Sequence, residues 1–558
     1  MRNIPILAAS AALLLGACQS RDVKLSPAQQ EVARQLCTID PWKDPLPAAT
    51  PVMDVHTHTF NARYLPLQGI LHGKRDASFP ITTLISDHCA DVVAKALVDR
   101  TELATIPGQP GIARKPDTRE LRETRRPGFV CKIFLDLIDK AIHAGAWRSG
   151  LTAKQQMTIL DDVADRMNIL ETVAVKSAAS MMGMERHTGG SRTVEGTISG
   201  VQAAVRFLWT ATQNDAGMIR LFREMQKDVP RKGQITMLSH MMDLGPVYDQ
   251  HPDGRALLDF QTQQIRRMEY YARQPGSGMM YFVAYNPYRD HWPGEHSSGA
   301  FDLVRDAITR HGARGVKIYP PSGYRAANNN IPPRPIALLT RFPGLQWDAR
   351  YSHLGSAPAR ALDHELNTLL EWCIARDVPV FVHSGYGEFE ARKGYGIHHS
   401  DPTFWKTFLE SHSTPGNPCK LRLCLGHAGG GDFWFGLGAH ANWGRTVYDL
   451  CTQYPNVYCE ITTDESMIRP DTQAYFVDHL ATQFEKSAPS ARSDARYPFA
   501  RKLMYGSDWY LPDKGEPSAV LLATQQAFLH PRLRAHYAEY FSGNAKRYLK
   551  FAADNTGR

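Results

Sequence analysis

The chain has 558 residues, 43% of them hydrophobic and 22% charged, with a formal net charge of +8. These proportions are those of a globular protein, long enough for one large domain with insertions or for two or three ordinary ones. The modest charge is spread thinly, which argues against a nucleic-acid binder, since such a protein gathers its basic residues into a patch or arm. The one dense run, residues 113–128, mixes both signs with Pro and Gly and reads as a solvated loop.

The N-terminus carries Arg2, an apolar stretch from Ile4 to Leu15, and small residues before Cys18. That pattern predicts a signal peptide, too short for a transmembrane helix. Leu15-Gly16-Ala17-Cys18 resembles the lipobox of bacterial lipoproteins, which implies lipidation of Cys18 over residues 1–18 and a linker over 19–50. Gln19 fits the outer-membrane sorting type, so the expectation is an exported, lipid-anchored protein of the outer membrane facing the periplasm. A plain secretory signal with an incidental cysteine is the alternative. Eight further cysteines show no Cys-x-x-Cys spacing, and their pairing stays open.

Downstream, PVMDVHTHTF (Pro51–Phe60) predicts the first strand. Side chains at i and i+2 of a strand point the same way, so Asp54, His56 and His58 are expected on one face. Residues 61–232 follow, dominated by helical periodicity, and read as an insertion. Seven more strands are then predicted in QITMLSHMMD, GMMYFVAYNP, ARGVKIYPP, VPVFVHSG, KLRLCLGHAGGG, NVYCEITT and RKLMYGSDW. Helical segments such as LLDFQTQQIRRMEYYARQ, FDLVRDAITRHG and HELNTLLEWCIARD separate them. Eight short apolar strands alternating with helices predict an α/β (β/α)8 TIM barrel over residues 51–60 and 233–555, with the helical insertion after the first strand. An open doubly wound sheet is the runner-up, but no G-x-G-x-x-G turn follows the first strand.

In such a barrel the chemistry sits at the C-terminal strand ends. His56, His58, Lys317, His383, His427 and Asp508 all fall there. The segments DVHTH, GVKIYPP, VFVHSG, LGHAGGG and YGSDW, in that order, resemble the amidohydrolase superfamily. They are most similar to its branch of metal-dependent hydrolases and aminocarboxymuconate-semialdehyde-type decarboxylases. The tail FSGNAKRYL resembles the Asn-Ala segment that often closes that family's last helix.

The resemblance implies one divalent metal, taken as Zn²⁺, held by His56, His58, His383 and Asp508, with a second metal left open. It implies an acid or base role for His427, proton acceptance by Asp508, and a bridging or substrate-binding role for Lys317. Arg325 and Arg392, in loops after the fourth and fifth strands, are candidates to pair with a substrate carboxylate, and Tyr319, Tyr386, Trp434 and Trp509 to wall the pocket. The implied function is hydrolysis of a small-molecule amide, ester or lactone through metal-activated water. A metal-dependent decarboxylase on the same scaffold is one alternative. The other is a non-catalytic lipoprotein whose helical insertion binds a partner. Nothing in the sequence sets the oligomeric state.

Overall fold

The computed structural model describes residues 25–65, 67, 87–112, 209–244, 254–291, 299–329, 356–386, 395–436, 441–462, 465–491, 494–510 and 517–551. The signal segment, the basic run, the middle of the helical insertion, the later part of the loop after the fourth strand, and Arg392 lie outside the described residues.

Eight strands form the centre: β1 (Met53–Thr57), β2 (Thr236–His240), β3 (Met279–Tyr285), β4 (Val316–Ile318), β5 (Val380–His383), β6 (Leu423–Gly426), β7 (Val457–Thr462) and β8 (Leu503–Gly506). Their order in the sheet is their order in the chain, and every neighbouring pair is parallel. The last strand returns to the first: the amide of Asp508 donates to His56 O at 2.7 Å and that of His58 to Trp509 O at 2.6 Å. The sheet is therefore a (β/α)8 barrel. Closure leaves no exposed edge, and each strand is buried on both faces, so the strands read as apolar runs rather than alternating ones.

Helices supply the outer layer: α1 (Asp215–Met225), α2 (Gly254–Ala272), α3 (Ala300–Thr309), α4 (Ser356–Arg376), α5 (Pro402–Ser411), α6 (Ala441–Gln453), α7 (Pro470–Lys486) and α8 (Pro517–Leu529). The structure adds α5 to the helices expected from periodicity. It is a short helix with Asp401 as its N-cap and Pro402 at its first position. The segment read as a linker also carries structure, with helices at Pro27–Leu36 and Pro45–Ala49. Ser26 and Gln29 form a capping box at the first of these. Gln526 of α8 donates to Leu36 O at 2.8 Å and fastens that helix to the barrel. Among the described residues no helix is long and apolar enough to cross a membrane.

The barrel interior is a core of its own. Met53, Val55, Leu238, Met280, Phe282, Phe381, Cys424, Tyr458 and Met504 pack there with Ala545, Tyr548 and Leu549 from the chain's end. The tail FSGNAKRYL thus stops the N-terminal mouth of the barrel. Its Asn544 donates to Ala500 O at 3.0 Å and Leu503 O at 2.6 Å, satisfying carbonyls at the start of β8. With one end stoppered, the C-terminal rim is left to carry the chemistry.

One titratable group in the helical layer makes stability depend on pH. His479 of α7 sits among Phe433, Trp434 and Tyr475, with ring centroids 4.5, 6.1 and 5.6 Å away. Burial, with help from Lys486, pulls its pKa down to about 4. The unfolded chain then binds more protons than the folded one below the ordinary imidazole value near 6.5. Stability from this group is complete above that value and is lost as pH falls toward about 4. Denaturant unfolding at pH 7 and pH 5 is expected to show a smaller acid-induced loss in His479→Phe than in the wild type. Equal losses would show that His479 does not titrate in this way.

Candidate metal and active site

The six predicted rim residues arrive from five strands, and β1 does so by an irregular route. Asp54 pairs with Met237 and Thr57 with Ser239, so three steps on β1 oppose two on β2. This bulge breaks strict alternation. Neighbouring residues Val55 and His56 both reach the interior phenylalanine: Val55 shares its core cluster, and the His56 ring lies 4.7 Å from the Phe381 ring. Alternation alone would have put them on opposite faces. The His56 and His58 rings come within 5.3 Å of each other. Asp54 turns away from both rings toward the turn after β8, where it accepts from Ser507 Oγ at 2.6 Å and from the Ser507 amide at 3.1 Å.

Asp508 stands at the centre. Its Oδ1 lies 3.2 Å from His56 Nε2 and 3.2 Å from His58 Nε2. The opposite nitrogen of each ring is already committed. His58 Nδ1 donates to His240 O at 3.1 Å, and His56 Nδ1 donates to Glu460 Oε2 at 3.2 Å. In the neutral rings both Nε2 lone pairs therefore face a carboxylate oxygen, and three electron-rich atoms converge. His427 completes a set: His56, His427 and Asp508 each offer a ligand atom within 4.8 Å of one another, all buried. His427 also reaches His383, with Nε2 2.9 Å from Nδ1, and its own Nδ1 lies 2.6 Å from Thr462 Oγ1. The geometric trio contains His427, to which the resemblance gave an acid or base role. His58 and His383 meet the trio through Asp508 and His427 respectively. The backbone is forced here, with φ of 54° at Asp508 and 59° at His427, values that cost energy in any residue but glycine.

Lys317 extends from β4 across the Phe381 ring at 4.4 Å to within 3.2 Å of His56 Nε2. It brings an ammonium to the nitrogen that also faces Asp508. Two further residues belong to this centre and were not singled out from the sequence. Glu460 of β7 is fully buried and touches His56. His240 ends β2 and donates from Nε2 to Val55 O at 2.7 Å. A histidine closing a strand was the same signal that marked His383, so His240 was open to detection.

Of the proposed pocket walls, Tyr319 lies nearest the centre, its ring 4.9 Å from that of His383. Trp434 does not line a pocket. It stacks on Phe499 in the helical layer with centroids 5.5 Å apart and donates to Ala428 O at 2.9 Å. Trp509 packs against Phe222 of α1 at 5.3 Å. Arg325 is buried over the Phe404 ring at 4.7 Å.

Burial sets the protonation of this cavity. Burial, reinforced by the charge of Asp508, pushes the Glu460 carboxyl up to about 8, against hydrogen bonds from His427 N–H and Thr462. Burial likewise lifts Asp54 to about 7. Burial and then Lys317 hold His56 and His240 well below the ordinary imidazole range. The His56 ring is thus a neutral donor beside the Asp508 and Glu460 carboxyl groups in low dielectric, a donor set suited to Zn²⁺. Spacing agrees as well: two atoms bonded at about 2.0–2.1 Å to a tetrahedral ion lie about 3.3 Å apart. The Nε2 to Oδ1 separations of 3.2 Å match that edge.

Comparison with known proteins gives the following similarities. A protein assigned as a 2-pyrone-4,6-dicarboxylic acid hydrolase from Acinetobacter baumannii, crystallised with citric acid, is similar over 60% of this chain and 90% of its own, at 10% identity and a TM-score of 0.33. A 2,6-dihydroxybenzoate decarboxylase from Rhizobium covers 57% of this chain and 84% of its own, at 14% identity and a TM-score of 0.31. A Pseudomonas putida protein assigned as a 2-pyrone-4,6-dicarboxylic acid hydrolase covers 58% and 84%, at 12% identity and a TM-score of 0.30. Comparison with curated proteins gave no match. Residues 291–551 match the family model described as Amidohydrolase. That segment brings in β4 to β8 with Lys317, His383, His427 and Asp508, and its match supports the amidohydrolase superfamily.

Proposed function

We propose that the protein is a metal-dependent hydrolase that opens an amide, ester or lactone of a small molecule. The observation that carries this reading is the convergence of His56 Nε2 and His58 Nε2 on Asp508 Oδ1, each at 3.2 Å, with both Nδ1 atoms donating elsewhere. His56 and Asp508 are the shared ligands, with His58 on one side and His427 on the other; His383 stands behind His427. A divalent ion, when bound, supplies Lewis acidity and a water acidic enough to act near neutral pH.

The chain's own residues supply the rest. Asp508 accepts the proton of the attacking water, because its Oδ1 stands at the centre, 3.2 Å from both His56 Nε2 and His58 Nε2. His427 lies within 2.9 Å of His383 and 2.6 Å of Thr462, a ring fixed on both sides and able to take up a proton at Nε2 and pass it to the leaving group. Tyr319, beside His383, bounds the substrate.

Metal analysis of the purified protein tests the reading. Close to one equivalent of Zn²⁺ or a similar divalent ion is expected in the wild type and far less in His56→Ala. Equal metal in both would undo the ligand assignment. Incubation with a panel of lactones, esters, amides and aromatic acids then decides the reaction. Hydrolysed or ring-opened product supports the proposal, and release of CO₂ overturns it in favour of decarboxylation.

A further inference from the structure

We propose that Glu460 is the positioning residue of this site, a single carboxyl group that orients two of its imidazoles. The inference rests on the metal-site reading above. It starts from β7, where Glu460 and Thr462 stand two apart and so share the inward face with Tyr458 of the interior core.

Every contact of the Glu460 carboxyl group points to the site. Oε2 accepts from His56 Nδ1 at 3.2 Å and from the His427 amide at 3.0 Å. Oε1 accepts from Thr462 Oγ1 at 2.9 Å, and that same hydroxyl lies 2.6 Å from His427 Nδ1. As a carboxylate, this one oxygen fixes the proton of His56 on Nδ1 and turns its Nε2 toward Asp508. It also pins the backbone of His427, where φ is 59° and a hydrogen bond must offset the cost of that conformation. The other oxygen governs the His427 ring through the one proton that Thr462 has to give.

The neighbouring strand is shaped to admit this group. A Cβ on Gly506 of β8 would lie 2.4 Å from Glu460 Cγ and 2.6 Å from Oε1, so only glycine leaves room for the carboxyl to cross. A buried acid with no role would be a poor tenant for such a slot, since hydrocarbon would fill it without the cost of desolvation. Carboxylates behind ligand histidines fix ring orientation and raise ligand basicity, and their loss weakens metal binding by about 10–100-fold.

Two measurements on full-length protein test the proposal: Zn²⁺ affinity by chelator competition, and imidazole nitrogen shifts of ¹⁵N-histidine-labelled, metal-free protein above about pH 8, where the Glu460 carboxyl is ionised, with signals assigned by His56→Asn and His427→Asn. Glu460→Met fills the same volume without an acceptor. It is expected to weaken Zn²⁺ binding by about 10–100-fold and to remove the bonded Nδ1–H signature of His56. Glu460→Gln keeps an acceptor for His56 and is expected to lose less affinity and to retain that signature. Thr462→Val is expected to move only the His427 nitrogens, and Thr462→Ser to restore them.

Affinity within about twofold of wild type in Glu460→Met overturns the proposal, since packing alone predicts that result. So does a fall in affinity with unchanged His56 shifts, which would mean that only the charge acts. Should Glu460→Met not fold, the Glu460→Gln affinity and the Thr462 pair decide: an unchanged affinity in the first or unmoved His427 signals in Thr462→Val would overturn it. Absence of Zn²⁺ binding by the wild type would sink the hydrolase reading instead, and the metal-free spectra would still judge Glu460.

Discussion

Asp508→Asn is expected to remove most of the bound metal and to lower hydrolytic turnover by on the order of 10³-fold or more. The substitution isolates chemistry from folding. Asp508 has a φ of 54°, a left-handed conformation that asparagine tolerates about as well as aspartate. Its amide donates to His56 O at 2.7 Å, and that barrel-closing bond belongs to the backbone and survives the exchange. What changes is the carboxylate itself. An uncharged amide next to His56 Nε2 and His58 Nε2 offers a weak ligand and no base. Metal content by mass spectrometry, with thermal unfolding as the control for fold, checks the first half. Turnover on whichever substrate the panel identifies checks the second. A variant with wild-type metal and wild-type turnover would remove Asp508 from the site.

The second large effect concerns how the segment after β1 is held to the barrel. Asp215 at the start of α1 and Arg267 of α2 form an ion pair at 2.6 Å, with side chains 0% and 1% exposed. Arg267 also donates to Ala104 O at 3.0 Å, and Asn61 donates to Asp215 at 3.4 Å. Desolvation drives the Asp215 carboxyl upward in spite of Arg267, so the pair is costly to assemble. It is costlier to break. Arg267→Met leaves an uncompensated buried carboxylate and is expected to cost about 3–5 kcal/mol in denaturant unfolding. The double variant Arg267→Met with Asp215→Leu removes both charges and is expected to recover most of that loss, the remainder being the unsatisfied Ala104 carbonyl at about 1–3 kcal/mol. A double variant as unstable as the sum of the singles would show that the two residues act independently.

What could be read from the chain alone was whatever is local. Eight apolar runs between helical periods announce a parallel β/α construction, because strands buried on both faces need continuous hydrophobicity. Histidines, a lysine and an aspartate at run ends announce the rim, because backbone direction places every such end on one side. The helix α5 was less visible, its ten residues lying between two strands with only a cap and a proline to mark it.

Tertiary structure decided the remainder, for reasons that no local pattern carries. The bulge in β1 arises from pairing with β2, more than 180 residues later, and it alone brings Val55 and His56 to the same ring. Trp434 faces Phe499 in the helical layer, a contact set by α6 and α7 packing around it and not by its place after a strand. Glu460 is the sharpest case. Within NVYCEITT it is one acid in an apolar strand, and the local partner the structure gives it is Thr462. Its distant partners are His56, 404 positions away on β1, His427 just after β6, and the vacant side of Gly506 on β8. Only closure of the sheet brings these together, because each is a neighbour of β7 around the barrel or lies across it. The order of the candidate ligand types was written in the chain. Which atom of each faces the cavity was settled by the fold.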